Sequence, residues 1–451
     1  MFFGMGGPQT DYAVFAQRRK NLMNQIQSQG RANSGALLLL ASLENNQTRF
    51  RQDSSFYYLT GITDPAIAFL MEGDGTTTLF IPNYAQNRSA WHSDGMSSQI
   101  QEYQSILGID HIVELGSVVQ GFTMGLWEES DCYENLSEHL GRIVSKGGTI
   151  FTLSPSTPSG YVDQRILLGR FAAWINGFAE SAIDVSQLVN RMRRKKDYVE
   201  LEQLGRAIDI TCYAQSAAAS NISVNISECE LQAHAEYLIT ALDAQIAFPT
   251  IAASGANGTV LHSSPSPRIM EIDELVVVDC GAESGHYCGD ISRTYPISGM
   301  FSDRQRDLYS IVLDVQTYLA ENVKPGYCIS NVDDPAKSMN HIARELLRKK
   351  GYENYLHHGV SHYLGLDVHD VGLATEPLQE GDIITIEPGL YLPDEQIGIR
   401  IEDNYWVTKN GLICLSEALP KRPEEVEALM RGEISVNQQI DEQNSEEEPL
   451  H

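Results

Sequence analysis

Apolar residues recur along this chain in two rhythms. Phe15, Leu22 and Ile26 fall at helical spacing and predict a helix from about Thr10, with Arg18 interrupting its apolar face. Residues 35–41, 66–71 and 77–82 are apolar runs of strand length. A turn-rich stretch, Ser154-Pro155-Ser156-Thr157-Pro158-Ser159-Gly160, breaks the pattern, and a helical stretch follows over 165–178. Together these elements predict one α/β unit that ends near residues 180–190. Beyond it, a basic run at 191–196 leads into a long helix over 198–219. Ser227-Glu228-Cys229-Glu230 and Ser302-Asp303-Arg304-Gln305 read as capping boxes. Asp334-Pro335 sets an N-cap before a proline at the first helical position, and Gly351 closes that helix. Between the helices the rhythm shortens. Segments 275–279, 290–295, 383–387 and 399–402 are β-rich, and each carries carboxylates at or near an end.

Length and charge narrow the picture. A chain of 451 residues exceeds what one compact core usually holds, so two domains are expected. The formal net charge of -28 argues against nucleic acid or an anionic membrane as the main partner. Part of that charge sits in residues 441–448, which read as a solvated, disordered acidic tail. No stretch approaches the ~20 apolar residues of a membrane span. Met1-Phe2-Phe3-Gly4 lacks the basic start of a signal peptide. The seven cysteines are odd in number and without paired CxxC spacing, which points to reduced thiols and a cytoplasmic setting. Cys280 and Cys288, although close to acids, suit packing better than metal binding.

Acids at the ends of apolar strands need compensation, because an isolated ionised carboxylate is costly in a low-dielectric interior. Leu275-Val276-Val277-Val278 runs straight into Asp279. Asp290 follows after a connection holding Gly281, Gly285 and Gly289, long enough to return a second strand beside the first. Ile383-Ile384-Thr385-Ile386 leads into Glu387, and Ile399-Arg400-Ile401-Glu402 alternates so that Arg400 and Glu402 share a strand face. Any one of these acids alone reads as a strand end or a turn cap. Four together repel one another, and a divalent cation is the usual means of holding them. His357, His358, His362 and His369 lie in the same short, glycine-containing stretch. Four carboxylates with one imidazole form a hard, oxygen-rich set that favours manganese or a similar ion over a thiolate-type zinc site. Two ions about 3.5–4 Å apart, sharing carboxylates, would generate a hydroxide nucleophile and polarise a carbonyl. The residues by themselves therefore point to a metal-assisted hydrolase.

The ordered motifs carry a resemblance. Asp279-x10-Asp290 with Ser292-Arg293-Thr294-Tyr295-Pro296 is followed by His358-Gly359-Val360-Ser361-His362, Glu387-Pro388-Gly389-Leu390-Tyr391 and Gly398-Ile399-Arg400-Ile401-Glu402-Asp403. This series resembles the pita-bread metallopeptidases and, among them, the aminopeptidase P family. Phe56-Tyr57-Tyr58-Leu59-Thr60-Gly61 is similar to that family's N-terminal domain, and residues 423–430 to its closing helix. The resemblance implies an α/β chain: a creatinase-like α/β domain over 1–185, a pita-bread α+β catalytic domain over 186–432, and a tail over 433–451. It implies removal of the N-terminal residue from peptides with proline at position two, by attack of a hydroxide bridging two divalent ions, most simply Mn(2+).

Carried over residue by residue, the resemblance gives Asp279, Asp290 and Glu402 to one ion. Asp290, His362, Glu387 and Glu402 go to the other, so that Asp290 and Glu402 bridge. Glu387 would move the proton, and His369 would stabilise the tetrahedral intermediate. His262 and His358 would line the substrate site, with Arg400 and Tyr391 orienting ligands and substrate. A homo-oligomer, dimer or tetramer, is expected on the same ground. Trp91 resembles a tryptophan that in some members reaches a neighbouring subunit's active site; a partly buried anchor is the other reading. Cys280 stands where the family often has alanine, and Asn404 where it often has a second acid. The close alternative is an Xaa-Pro dipeptidase (prolidase), which commonly has glycine at the position of Ser361. A methionine aminopeptidase normally lacks so long an N-terminal domain. A non-catalytic peptide-binding protein on the same scaffold is the remote alternative, disfavoured because all five ligand positions are filled.

Overall fold

The computed structural model describes residues 12–28, 35–44, 49–85, 100–119, 129–154 and 162–436. Thr10, Trp91, most of the turn-rich 153–161 stretch and the acidic tail lie outside the described residues. The chain divides into two compact units, Met1–Arg193 and Arg194–His451. Among the described residues no helix is long and apolar enough to cross a membrane.

The first unit is built on a mixed six-stranded sheet. Its strands are β1 (Ala36–Leu40), β2 (Ala68–Glu72), β3 (Thr77–Ile81), β4 (His111–Glu114), β5 (Ile150–Thr152) and β6 (Ala182–Asp184). Their order is β4-β3-β2-β1-β5-β6, with β2 antiparallel to both β1 and β3 and the other pairs parallel. The apolar run of β1 is buried along its whole length, as a central strand covered on both faces requires. The opening helix spans Ala13–Ser28, and Arg18 does not interrupt its buried face. Its guanidinium lies 4.1 Å from the centroid of the Tyr58 ring and donates to the Tyr58 carbonyl, so the charge is buried with partners. The helix expected over 165–178 is two helices, Val162–Trp174 and Phe178–Ser181. Gly177 separates them with φ 83°, a left-handed conformation that ends a helix.

The named strands of the second unit all pair antiparallel. Its strands are β7 (Gln245–Ile246), β8 (Ile251–Ser254), β9 (Leu275–Cys280), β10 (Ala282–Ser284), β11 (Tyr287–Cys288), β12 (Ile291–Pro296), β13 (Ile383–Ile386), β14 (Gly389–Leu392), β15 (Ile397–Arg400), β16 (Asp403–Thr408) and β17 (Gly411–Cys414). They pair as β11-β10-β7, β12-β9-β8, β13-β16-β17 and β14-β15. Helices Tyr198–Asn221, Glu228–Ala241, Asp303–Asn322, Met339–Lys350 and Pro423–Met430 supply the other side of one continuous apolar core. Ser227 and Ser302 cap their helices in full capping boxes, as their spacing predicts, and Asp197 does the same for the long helix.

The Asp334-Pro335 expectation is corrected. Those residues open a separate 3-10 turn, Pro335–Lys337, and Ser338 caps the helix that follows. The Cys328 N–H donates to the Lys337 carbonyl at 2.8 Å and the residue bridges to Ser338, which draws the chain into an extended conformation before the helix can start. Gly351, at φ 83°, closes that helix as predicted.

Two basic residues at the start of this unit pin the histidine-bearing segment. Arg194 grips Asp382 with Nε and Nη2 at 2.9 and 2.7 Å and reaches Glu376 and the Pro377 carbonyl. Lys196 Nζ donates to Asp370 at 2.7 Å, with both side chains essentially buried, and its backbone N–H reaches the Gly381 carbonyl. The basic run therefore anchors the chain around His362 and His369. A bidentate Arg–carboxylate pair holds geometry as well as charge.

Candidate metal centre

Strand pairing places the acids. In the antiparallel β9–β12 pair Asp279 lies opposite Ser292, so the two share a face, and Asp290, two residues before Ser292, follows on that face. Residues 360–364 run along β13: Glu387 N–H donates to the Val360 carbonyl, Thr385 to His362, and Leu364 to Ile383. Alternation then puts His362, Thr385 and Glu387 on one side. Ser361, buried and without a hydrogen-bond partner for its hydroxyl, falls on the opposite side.

Ligand atoms of Asp290, His362 and Glu402 all lie within 4.8 Å of one another. His362 Nε2 is 3.3 Å from Asp290 Oδ2, 3.6 Å from Glu387 Oε1 and 3.8 Å from Glu402 Oε1. The other ring nitrogen, Nδ1, is 3.0 Å from the Tyr363 carbonyl, which gives it a proton to donate there and leaves Nε2 turned toward the carboxylates. Asp279 is joined to the group through Arg400, whose Nη2 donates to Asp279 Oδ2 at 2.7 Å; Asp279 Oδ1 is buried with no hydrogen-bond partner.

Arg400 is the hub of the surrounding network. Its Nε donates to Ser292 Oγ at 2.8 Å, and that hydroxyl donates to Glu402 Oε2 at 2.9 Å. Arg400 Nη1 donates to the Tyr391 hydroxyl at 3.0 Å, so the phenol proton is free to go to His358 Nε2, 2.8 Å away. His358 Nδ1 then carries its proton toward the Gly359 carbonyl at 2.7 Å. Burial, with Arg400 nearby, pushes His358 down to about 4, which keeps that imidazole neutral.

The carboxylates crowd one another in a buried site. Burial raises Asp290 to about 6, with Asp279 adding and His362 opposing. Burial also raises Glu387 to about 7, and pushes Glu402 well above the carboxylate range with Asp290 and Glu387 contributing. Burial disfavours the His362 imidazolium, but its hydrogen bond to Asp290 and the charge of Glu387 outweigh that and raise it to about 9. The donor set therefore fits divalent cations: hard oxygens in excess, one imidazole presenting Nε2, and a buried carboxylate oxygen with nothing to bind.

Of the other expected site residues, His369 stands edge-on to His362, ring centroids 4.4 Å apart. His262 is exposed, and close enough for its charge to add to the lowering of His369 after burial and His362. Ser292 and Thr385 are site residues that sequence reasoning does not single out. Each sits two residues from a named acid, and that spacing is the available signal. Thr385 Oγ1 accepts from the His362 N–H at 3.1 Å and lies 3.4 Å from Glu387 Oε1. Asn404 clamps the backbone of Asp290, since its Oδ1 accepts from Asp290 N–H and its Nδ2 donates to the Asp290 carbonyl. An acid at that position could satisfy only the first.

Residues 202–409 match metallopeptidase family M24, and residues 15–130 match the N-terminal domain of aminopeptidase P. The Xaa-Pro aminopeptidase of Escherichia coli is 28% identical over 449 residues, spanning 92% of this chain and 97% of that protein. The Xaa-Pro dipeptidase of Pyrococcus furiosus is 36% identical, but over 232 residues, 50% of this chain and 64% of its own length. The structure of E. coli aminopeptidase P with the inhibitor Pro-Leu superposes with a TM-score of 0.76 at 26% identity, covering 93% of this chain and 98% of that one. The expected fold, a creatinase-like N-terminal domain followed by a pita-bread domain, is borne out, and family membership implies divalent metal ions. The chain belongs to the aminopeptidase P branch of metallopeptidase family M24.

Proposed function

We infer that this chain is a hydrolase, a metal-dependent aminopeptidase that removes the N-terminal residue from peptides with proline in second place. The observation that carries this reading is the near end-to-end match to an Xaa-Pro aminopeptidase, supported by the grouping of Asp290, His362 and Glu402 with Glu387 beside His362 and Asp279 beside Arg400. The dipeptidase match, confined to half of the chain, supports the aminopeptidase over a prolidase.

Asp279, Asp290, His362, Glu387 and Glu402 would hold two divalent ions, most simply manganese given the oxygen-rich set. When bound, such ions supply Lewis acidity that polarises the scissile carbonyl and lowers the pKa of a water. Glu387, its carboxylate facing both His362 and His358, would take a proton from the attacking water and return it to the departing proline nitrogen. His369, edge-on to His362, would donate to the oxygen of the scissile carbonyl as charge develops there. The Arg400–Tyr391–His358 hydrogen-bonded chain would fix the wall beside the ligands, with half-buried His358 facing the substrate and buried Tyr391 and Arg400 orienting it. A proline ring brings no N–H at the scissile nitrogen, so a pocket of ring faces suits it. Seven cysteines, an odd number without paired CxxC spacing, support a reducing, cytoplasmic setting. A homo-oligomer, dimer or tetramer, is proposed from family membership, with light scattering as its check.

Steady-state assays on matched Xaa-Pro-Xaa and Xaa-Pro peptides with manganese test the specificity. Release of the first residue from the tripeptide is expected; cleavage of dipeptides alone would support a prolidase.

A further inference from the structure

The loop that carries His262 leaves β8 at Ser254 and returns to the helix Glu228–Ala241 near Arg268. One fully buried carboxylate, that of Glu228, closes both ends. Its Oε1 accepts from Ser254 N–H at 2.7 Å and Ser254 Oγ at 2.8 Å. Its Oε2 accepts from Ser266 Oγ at 2.7 Å and Ser266 N–H at 3.2 Å, and Asn257 Nδ2 lies 3.1 Å from both oxygens. The backbone answers in the other direction: Glu228 N–H donates to the Arg268 carbonyl and Cys229 N–H to the Ser266 carbonyl. Arg268 Nη1 caps the arrangement by donating to Ser254 Oγ at 2.6 Å, so that hydroxyl is satisfied as donor and acceptor. The middle of the loop is held against the strand bearing Arg400, since a Cβ on Gly398 would fall on the Gly258 carbonyl.

We propose that Glu228 is a positioning residue for His262. It staples residues 254 and 266 to one helix start, and thereby sets the imidazole's place beside His369 and the ligand cluster. The carboxylate is used entirely as an acceptor by loop donors. An amide at the same position would set an N–H₂ against one pair of them, leaving buried donors unpaired. The proposal rests on the aminopeptidase reading only for the part His262 plays, so its test includes an arm independent of catalysis.

In the manganese-loaded chain, amide hydrogen exchange over 255–266 should accelerate at least tenfold in Glu228→Gln while β12 is unchanged; unaltered loop exchange overturns the staple. On an Xaa-Pro-Xaa tripeptide, Glu228→Gln should lower kcat/KM roughly ten- to hundredfold, as a misplaced group does. It should match His262→Ala and add nothing to it in the double variant. A double variant clearly worse than either single one overturns the assignment, because Glu228 would then act by another route. Glu228→Asp should recover part of the loss. If Glu228→Gln does not fold, Ser266→Ala carries both arms with smaller effects of the same sign. Fast loop exchange in Glu228→Gln, with no cleavage of any Xaa-Pro peptide by the unsubstituted chain, would support the staple and overturn the aminopeptidase reading instead.

Discussion

Replacing Asp403 by Asn should destabilise the catalytic unit far more than a like-sized change usually does. Asp403 is fully buried beside Arg293, which is fully buried too, with Nη2 to Oδ1 at 2.7 Å. Lys421 Nζ, Ser416 Oγ and Gln316 Nε2 complete its partners at 2.8, 2.7 and 2.9 Å. Burial alone would raise its pKa, but Arg293 and then Lys421 outweigh burial and hold it at about 2. A folded-state value lowered from 3.8 to about 2 corresponds to about 2 kcal/mol of stability. The carboxylate is depressed, so that contribution is present above pH ~4 and is lost as the pH falls through ~2. Asn keeps the shape and removes the charge. Lys421 is partly exposed and can regain water, whereas Arg293 cannot, and an unpaired buried charge costs ~3–5 kcal/mol. Arg293 also donates to the Ser292 and Glu402 carbonyls, so the loss should reach the ligand cluster. Native-state hydrogen exchange of β12 and β16 in urea, for both proteins at pH 7, measures the local free energy. A loss below about 1 kcal/mol, the size of an ordinary surface pair, would show that Arg293 does not depend on the Asp403 charge.

Ser361→Ala should be neutral or slightly stabilising, up to ~1 kcal/mol by thermal melting, because its buried hydroxyl has no partner. The same placement, on the face opposite His362, predicts that Ser361→Gly will not turn the enzyme into a dipeptidase; a swap of tripeptide for dipeptide activity would contradict it. Asn404→Asp should weaken manganese binding by roughly tenfold, since a carboxylate would face the Asp290 carbonyl. Unchanged affinity in a metal titration would show that Asn404 does not hold the ligand.

Much of this architecture is readable in the chain. The apolar runs that form β1, β9 and β13 are long enough to fix their own identity, and the acids beside β9, β12 and β13 mark one face once the strands are paired. Arg18 looks like an interruption because its aromatic partner, Tyr58, is forty residues away and an exposed charge is the default on a helix. Asp334-Pro335 has sound helix-start chemistry, yet the tertiary bridge from Cys328 overrides it. The Lys196–Asp370 pair joins residues 174 apart, and no local pattern announces such a contact. Ser292 and Asn404 are visible in the sequence, but what they bind is not, because their partners are fixed only by strand register and a crossing loop.

Asp279, Asp290, His362, Glu387 and Glu402 would hold two divalent ions, and peptide cleavage would depend on both. Calorimetric titration of the chelated chain with manganese tests it most directly, with tripeptide cleavage followed in the same samples. Two ions per chain are expected, with activity rising as they bind, and Asp290→Asn should lose both binding and cleavage. Full tripeptide cleavage by the metal-free chain, or undiminished binding of two ions by Asp290→Asn, would contradict it.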